Sequence, residues 1–313
     1  MRVGELKRRL RQCAAGLAAL LAFAQPAVAA APEREAASAP AAAAPSPAIW
    51  VIEDKDTKIY LFGTVHVFAA GLKWRSAAVD RAIAEADELV METPDASADE
   101  MSFSDRLLDR MALAKPQPVL ERVSPALRPQ LKAALAETEI PIEYFDELHT
   151  WAVAFLLTGF QLGKQMGGVD GATELSGAED ELGALFKARG RPILGVESVE
   201  EQLGLFAAMP AESQRLFLES TLVPTGAQPQ AGKTEASWVR GDVEAIAAEM
   251  QAMPRALYEP LLTKRNRAWS DWLVRRMARP GTVLFAVGAG HLAGPDSVQR
   301  MLAARGLKAR RLN

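Results

Sequence analysis

The sequence predicts an α/β protein in which many helices flank a small central sheet. Short hydrophobic segments of strand length occur at five places, each bounded by glycine, proline or polar residues. The long stretches 92–192 and 198–279, which separate the later segments, have mostly helical character. We therefore expect a sheet whose two halves are separated in the sequence by a large helical insertion.

The first 29 residues are typical of an export signal. Residues 1–11 are basic, residues 13–24 form an apolar stretch, and 27–29 (AVA) match the small-x-small pattern of a cleavage site. An uncleaved membrane anchor is the alternative, but this stretch is well short of the roughly 20 residues that span a bilayer. We therefore expect cleavage after Ala29, giving a periplasmic or secreted protein without a stable membrane span.

Residues 30–48 are predicted to be a disordered tether, because 14 of these 19 residues are Ala or Pro and large side chains that bury a core are missing. The folded domain is then predicted at 49–313. The only cysteine, Cys13, lies in the signal segment. The mature chain would therefore have neither disulfides nor a cysteine nucleophile.

The composition is that of one or two soluble globular domains, with 49% hydrophobic and 24% charged residues. It excludes collagen, coiled coil and wholesale disorder. The net charge is −3, and it becomes −7 without the signal segment, which leaves 31 basic and 38 acidic residues. This balance gives no net electrostatic reason to bind nucleic acid or anionic lipid, although it leaves open a local basic patch.

The first elements of the domain are predicted to be a hairpin, a helix and a buried strand. The hydrophobic segments 50–53 and 59–62 flank a polar turn at 54–58, which is typical of a β-hairpin. Ser76 can cap a helix that runs to about Asp87. Residues 88–92 (ELVME) then predict a buried strand that ends before a proline.

Two further strands are predicted far along the chain, at 192–197 and 282–287. The predicted helices lie at 101–114, 125–137, 147–166, 173–189, 199–208, 211–222, 235–252 and 257–278. Helices thus greatly outweigh strands.

Two of the three histidines share one local pattern, in which a hydrophobic strand is followed by glycine, two residues and histidine. The two GxxH segments are 63–66 (GTVH) and 288–291 (GAGH). One such pattern recurs by chance, but two copies that both follow strands favour a functional site built from His66 and His291. His149 lies at a helix start without this context and is predicted to be structural.

The other two predicted strands end in a carboxylate, Glu92 and Glu197. Each one alone would be interpreted as a helix cap or salt-bridge partner. The carboxyl ends of parallel strands are where open α/β sheets build ligand sites. Two imidazoles and two carboxylates at four strand ends suit a metal-bound carboxylate or a general base with a raised pKa.

Taken together, these segments resemble the TraB/GumN family, whose relatives include the Tiki metalloproteases and, more distantly, the erythromycin esterases. The resemblance covers residues 50–312. The segments that carry it are 59–66, the strand ending at Glu92, 195–197 with 201–203, Trp238 with 241–242, 265–269, and 286–292 with Gly294. Lys264 departs from the pattern, because the resemblance would place an acidic residue there.

The resemblance implies that both GxxH histidines and the acidic strand ends are site residues, and that related peptidases depend on a divalent metal. Mixed imidazole and carboxylate ligands suit Mn, Co, Fe or Zn without distinguishing among them. The predicted ligands are His66, His291, Glu92 and Glu197. Which glutamate would bind the metal and which would move a proton is left open by the sequence.

Arg265 and Asn266 are further candidates for a catalytic role, on the predicted helix 257–278. An arginine can neutralise a carboxylate or hold an oxyanion. The alternative is that Arg265 only caps or salt-bridges a neighbouring element.

Two classes of function follow from these residues. The first is an exported metal-dependent hydrolase acting on a peptide or protein substrate, with Glu92, Glu197, Arg265 and Asn266 as its catalytic residues. The second is a non-catalytic envelope protein that sequesters a peptide, haem or polysaccharide precursor in the same cleft. The absence of a serine nucleophile elbow and of an HExxH helix disfavours the commoner hydrolase designs.

Overall fold

The computed structural model describes residues 46–68, 71–93, 110–165, 177–222 and 231–313. The predicted signal segment, most of the tether and most of the predicted helix 101–114 lie outside these ranges. The strands within them are β1 (Ile49–Glu53), β2 (Thr57–Thr64), β3 (Glu88–Met91), β4 (Ile193–Gly195), β5 (Gly281–Gly288) and β6 (Arg310–Arg311). They form one sheet in the order β4-β3-β5-β2-β1-β6, which confirms the α/β fold.

Most of the rest of the described chain is helical. The α-helices are α1 (Ala77–Glu85), α2 (Arg128–Glu137), α3 (Ile142–Asp146), α4 (Thr150–Gln165), α5 (Ala178–Ala188), α6 (Val199–Ala207), α7 (Ala211–Ser220), α8 (Ala231–Val239), α9 (Val243–Gln251), α10 (Arg255–Tyr258), α11 (Lys264–Arg276) and α12 (Val298–Ala303). A π-helical turn, Glu259–Thr263, joins α10 to α11. No helix in the described ranges is both long and apolar enough to cross a membrane.

Four neighbouring strands, β4, β3, β5 and β2, run parallel, and their carboxyl ends lie at one edge of the sheet. Thr64 at the end of β2 pairs with Gly288 at the end of β5, and Met91 of β3 pairs with Gly195 of β4. β1 is antiparallel to β2, as the predicted hairpin requires. The residues that directly follow these four strands therefore lie along the same edge of the sheet.

Helices cover both faces of the sheet. Side chains along β2 alternate between the two faces and so contribute to two separate cores. Tyr60 and Phe62 pack with Trp74 and Trp238 under α1, α5, α8 and α9. Ile59 and Leu61 pack against Leu273 of α11 and Val298 of α12 on the other face. A third core lies within the helical insertion and includes Trp151, Phe155, Phe206 and Phe217.

The structure confirms the predicted start of α1 and divides the helix predicted at 235–252 into two. The Ser76 hydroxyl accepts a hydrogen bond from the Val79 N–H at the start of α1. The single helix predicted at 235–252 is instead α8 and α9. Gly241 lies between them with φ +66°, and Asp242 caps α9 by accepting from the Ala245 N–H.

Candidate functional site

The two GxxH segments lie in contact at the carboxyl edge of the sheet. A Cβ on Gly63 would lie 2.9 Å from the Cα of Ala289, so only glycine allows the segments to pack this closely. Gly290, in the second GxxH segment, packs just as closely against α9, where a Cβ would lie 2.7 Å from the Met250 sulfur. These close approaches, together with the register of β2 and β5, bring His66 and His291 to one region.

His291 is fully buried and held in one tautomer by Asn266. The Asn266 amide nitrogen lies 2.8 Å from the Asp296 carbonyl oxygen, so its Oδ1 faces the ring, 2.5 Å from Nδ1. Nδ1 therefore carries the proton and donates, and Nε2 carries the lone pair. Burial, assisted by the charges of Arg265 and His66, moves the pKa of His291 well below its usual value, which keeps the ring neutral.

His66 is also held through Nδ1, but its partner is a carboxylate. Its Nδ1 lies 2.6 Å from Oε1 of Glu179, at the start of α5, and the Thr64 hydroxyl donates to the same oxygen. Its Nε2 is buried and has no hydrogen-bond partner among the described residues. Burial by itself lowers the pKa of His66, but the Glu179 carboxylate outweighs this effect and raises the pKa to about 9.

Arg265 of α11 bridges the two strand-end carboxylates. Its Nε and Nη2 lie 2.8 to 3.1 Å from the oxygens of Glu197, and Nη2 also lies 2.6 Å from Oε2 of Glu92. The side chains of Arg265, Glu92 and Glu197 are only 4%, 5% and 12% exposed. Charge-assisted hydrogen bonds of this kind are strong, so this trio fixes the geometry of the edge. Because Arg265 pairs with carboxylates from two other parts of the chain, this ion pairing does not need the acidic residue that the family resemblance would place at position 264.

The second oxygen of Glu92 faces the histidine instead of the arginine. Oε1 accepts the Gly288 N–H at 2.9 Å and lies 3.6 Å from Nε2 of His291. Burial raises the pKa of Glu92, and the charges of Arg265 and His66 offset only part of this effect. Gln202 of α6 donates to Oε2, while its own carbonyl oxygen is buried without a partner among the described residues.

One face of α11 supplies several parts of the site. Arg265, Asn266 and Trp269 lie within one helical turn and point to the sheet edge. The Trp269 indole donates to Glu197 at 2.8 Å, its ring packs 4.2 Å from that of His291, and the Arg265 guanidinium lies 4.6 Å from it. The helix thus orients a carboxylate, an imidazole and a guanidinium together.

Of the four predicted ligands, Glu197 fits metal binding least well. Across the described ranges, no three His, Cys, Asp or Glu side chains are placed as a ready-made metal group. Both oxygens of Glu197 are already bound by Arg265 and Trp269, so Glu197 fits the role of a ligand poorly.

His66, His291 and Glu92 do fit a divalent cation by their chemistry. In both histidines Nδ1 is held by an oxygen acceptor, and this orients Nε2 in the way typical of metal-bound histidine. Oε1 of Glu92 adds a carboxylate donor next to His291. This donor set suits the same transition metals that the sequence indicated.

Two partners in this site were missed by sequence reasoning. Glu179 stands in the first turn of α5, where an acidic residue is ordinarily explained by the helix dipole. Gln202 lies inside a helix, in the segment 201–203 that carries the family resemblance, but it was not predicted to be a site residue. Asn266 was predicted to be catalytic. In the structure its Oδ1 contacts Nδ1 of His291, a contact that positions the imidazole ring.

Residues 48–311 match the sequence model of the TraB/PrgY/gumN family. Neither the comparison with curated proteins nor that with solved structures gave a match.

Proposed function

Because the chain belongs to the TraB/PrgY/gumN family, we propose that it is an exported metal-dependent hydrolase acting on peptide or protein substrates. The observation that carries this proposal is the repeated arrangement of His66 and His291. In each, Nδ1 is fixed by Glu179 or Asn266, and Nε2 is the nitrogen that would bind the metal. At His66, whose pKa is raised, metal binding would replace the Nε2 proton, and at His291 it would replace the 3.3 Å contact of Nε2 with Arg265. The signal-like residues 1–29 support a periplasmic or secreted location.

His66, His291 and Glu92 would hold the metal. A divalent cation bound by imidazole and carboxylate supplies a Lewis acid and lowers the pKa of bound water, the usual chemistry of metal-assisted hydrolysis. The residues around it keep these donors oriented. Glu179 and Asn266 fix the rings, and the Gly288 N–H fixes one oxygen of Glu92.

Arg265 is suited to bind the carbonyl oxygen of a substrate. Its Nε and Nη2 are committed to Glu197 and Glu92, which anchor the guanidinium. Its two longest contacts, 3.3 Å to His291 Nε2 and 3.4 Å to the Leu261 carbonyl, are both made by Nη1. Nη1 is therefore the donor that can turn toward the negative charge developing on the substrate carbonyl oxygen with the least loss of existing hydrogen bonds.

The proposal is tested by measuring metal content and peptide cleavage on the same purified full-length protein. We expect a bound transition metal and cleavage of a mixed peptide library that a chelator abolishes and one of Mn, Co, Fe or Zn restores. His66→Ala should lose both metal and cleavage, because it removes a ligand nitrogen. His149→Ala is the matched control and should keep both, because His149 stacks on Trp151 in the insertion.

Cleavage that survives complete metal removal would contradict the proposal. A protein that holds the metal through His66 but cleaves none of the peptides would instead support the non-catalytic binding protein.

A further inference from the structure

Charge is unevenly distributed over the surface of the domain. Within the described stretch 261–313, the exposed charged side chains are nearly all basic, with Asp271 as the one exposed acid. The exposed basic side chains are Lys264, Arg267, Arg275, Arg279, Arg300, Arg305, Lys308, Arg310 and Arg311. This local excess contrasts with the net charge of −3 of the whole chain.

Some of these residues form a stripe along the outer side of α11. Lys264, Arg267, Asp271 and Arg275 follow one another at spacings of three and four residues, which places them on one helix face. The acid within the stripe is neutralised, because Asp271 lies 2.6 Å from Arg305, just beyond α12. This ion pair also joins the stripe to the basic residues that follow α12.

The three cations of the stripe differ from Arg305 in their ion pairing. Within the described ranges, no carboxylate forms an ion pair with Lys264, Arg267 or Arg275. Val274, 38% exposed, lies beside them and is one of two large hydrophobic side chains that are exposed in the described part of the chain. Three cations on one exposed helix face suit binding to anionic lipid headgroups.

We propose that the α11–α12 face is a docking surface for an anionic membrane, with lipid phosphate headgroups bound by the stripe. A flat lipid surface needs only one basic face, and α11 and α12 lie side by side over one face of the sheet. An extended nucleic acid fits less well, because it would also meet the acidic remainder of a chain whose net charge is negative.

This orientation would not place lipid over the candidate site. Arg265 and Asn266 point from α11 to the sheet edge, whereas Lys264 and Arg267 point to solvent. Docking through the stripe would therefore hold the site beside the membrane without covering His66.

Vesicle co-sedimentation of the full-length chain tests the proposal. We expect binding to phosphatidylcholine vesicles that contain about one quarter phosphatidylglycerol, and a steep loss of binding as salt is raised. Charge reversal of the stripe (Lys264→Glu, Arg267→Glu, Arg275→Glu) should weaken this binding by at least about 10-fold. The signal segment can itself bind anionic vesicles, through its basic residues 1–11 and its apolar stretch 13–24. This contribution is the same in each variant and is measured with a peptide of residues 1–29 on the same vesicles.

The matched control reverses three exposed cations outside the stripe, Lys187→Glu, Arg189→Glu and Arg240→Glu, and should bind like the wild type. The proposal is overturned if the stripe variant binds as well as the wild type, or if both triple variants lose binding equally. Preference of the wild type for duplex DNA over anionic vesicles at equal salt would overturn it in favour of nucleic acid. None of these outcomes bears on metal-dependent hydrolysis.

Discussion

Replacing Arg265 by methionine should lower the free energy of unfolding by about 3–5 kcal/mol, the range for breaking a buried ion pair from one side. The change leaves Glu92 and Glu197 without the cation that each of them contacts within 2.8 Å. Methionine retains most of the aliphatic volume, so the loss reports mainly the unpaired charge. Chemical denaturation followed by circular dichroism measures it.

Arg267→Met is the matched control, because it is the same substitution two residues along α11 on the exposed face. It should change stability by no more than about 0.5 kcal/mol. Adding Glu92→Gln and Glu197→Gln to Arg265→Met should recover part of the loss, because no buried charge then lacks a partner. An Arg265→Met protein as stable as the control would show that the trio does not hold the edge together.

Replacing Glu92 by glutamine should weaken metal binding and lower turnover, each by at least about 10- to 100-fold, because it alters a group that would hold the metal. Glutamine keeps the shape of the side chain but removes the charge of the oxygen that lies 3.6 Å from His291 Nε2. Steady-state kinetics at saturating metal and calorimetric metal titration measure the two effects separately.

Glu197→Gln is the matched comparison, because it makes the same change at the end of the neighbouring strand. Its oxygens contact Arg265 and Trp269, so metal binding should remain while stability falls. The reverse pattern, in which Glu197→Gln loses the metal and Glu92→Gln keeps it, would contradict the assignment of roles.

The positions of the site residues along the chain were predictable, but their partners were not. A strand followed by glycine and histidine is a local pattern, and parallel strands that end in register bring such patterns together. By contrast, the pairing of Arg265 with Glu92 joins residues 173 positions apart. It depends on how α11 packs on the sheet, which no local pattern encodes.

Elements of the fold were missed for similar physical reasons. β6 has two exposed residues, Arg310 and Arg311, and is a strand only because β1 pairs with it. The break between α8 and α9 did have a local signal, since a glycine followed by aspartate is typical of a helix end and a new cap. The helical periodicity on both sides of Gly241 concealed it.

Histidine side-chain ¹⁵N NMR during a zinc titration tests the central claim most directly. The chain has three histidines, so His149 serves as an internal reference. We predict that stoichiometric zinc shifts the Nε2 signals of His66 and His291 together, while both Nδ1 nitrogens stay protonated and His149 does not change. Zinc that shifts only one of the two site histidines, or neither, would contradict the account.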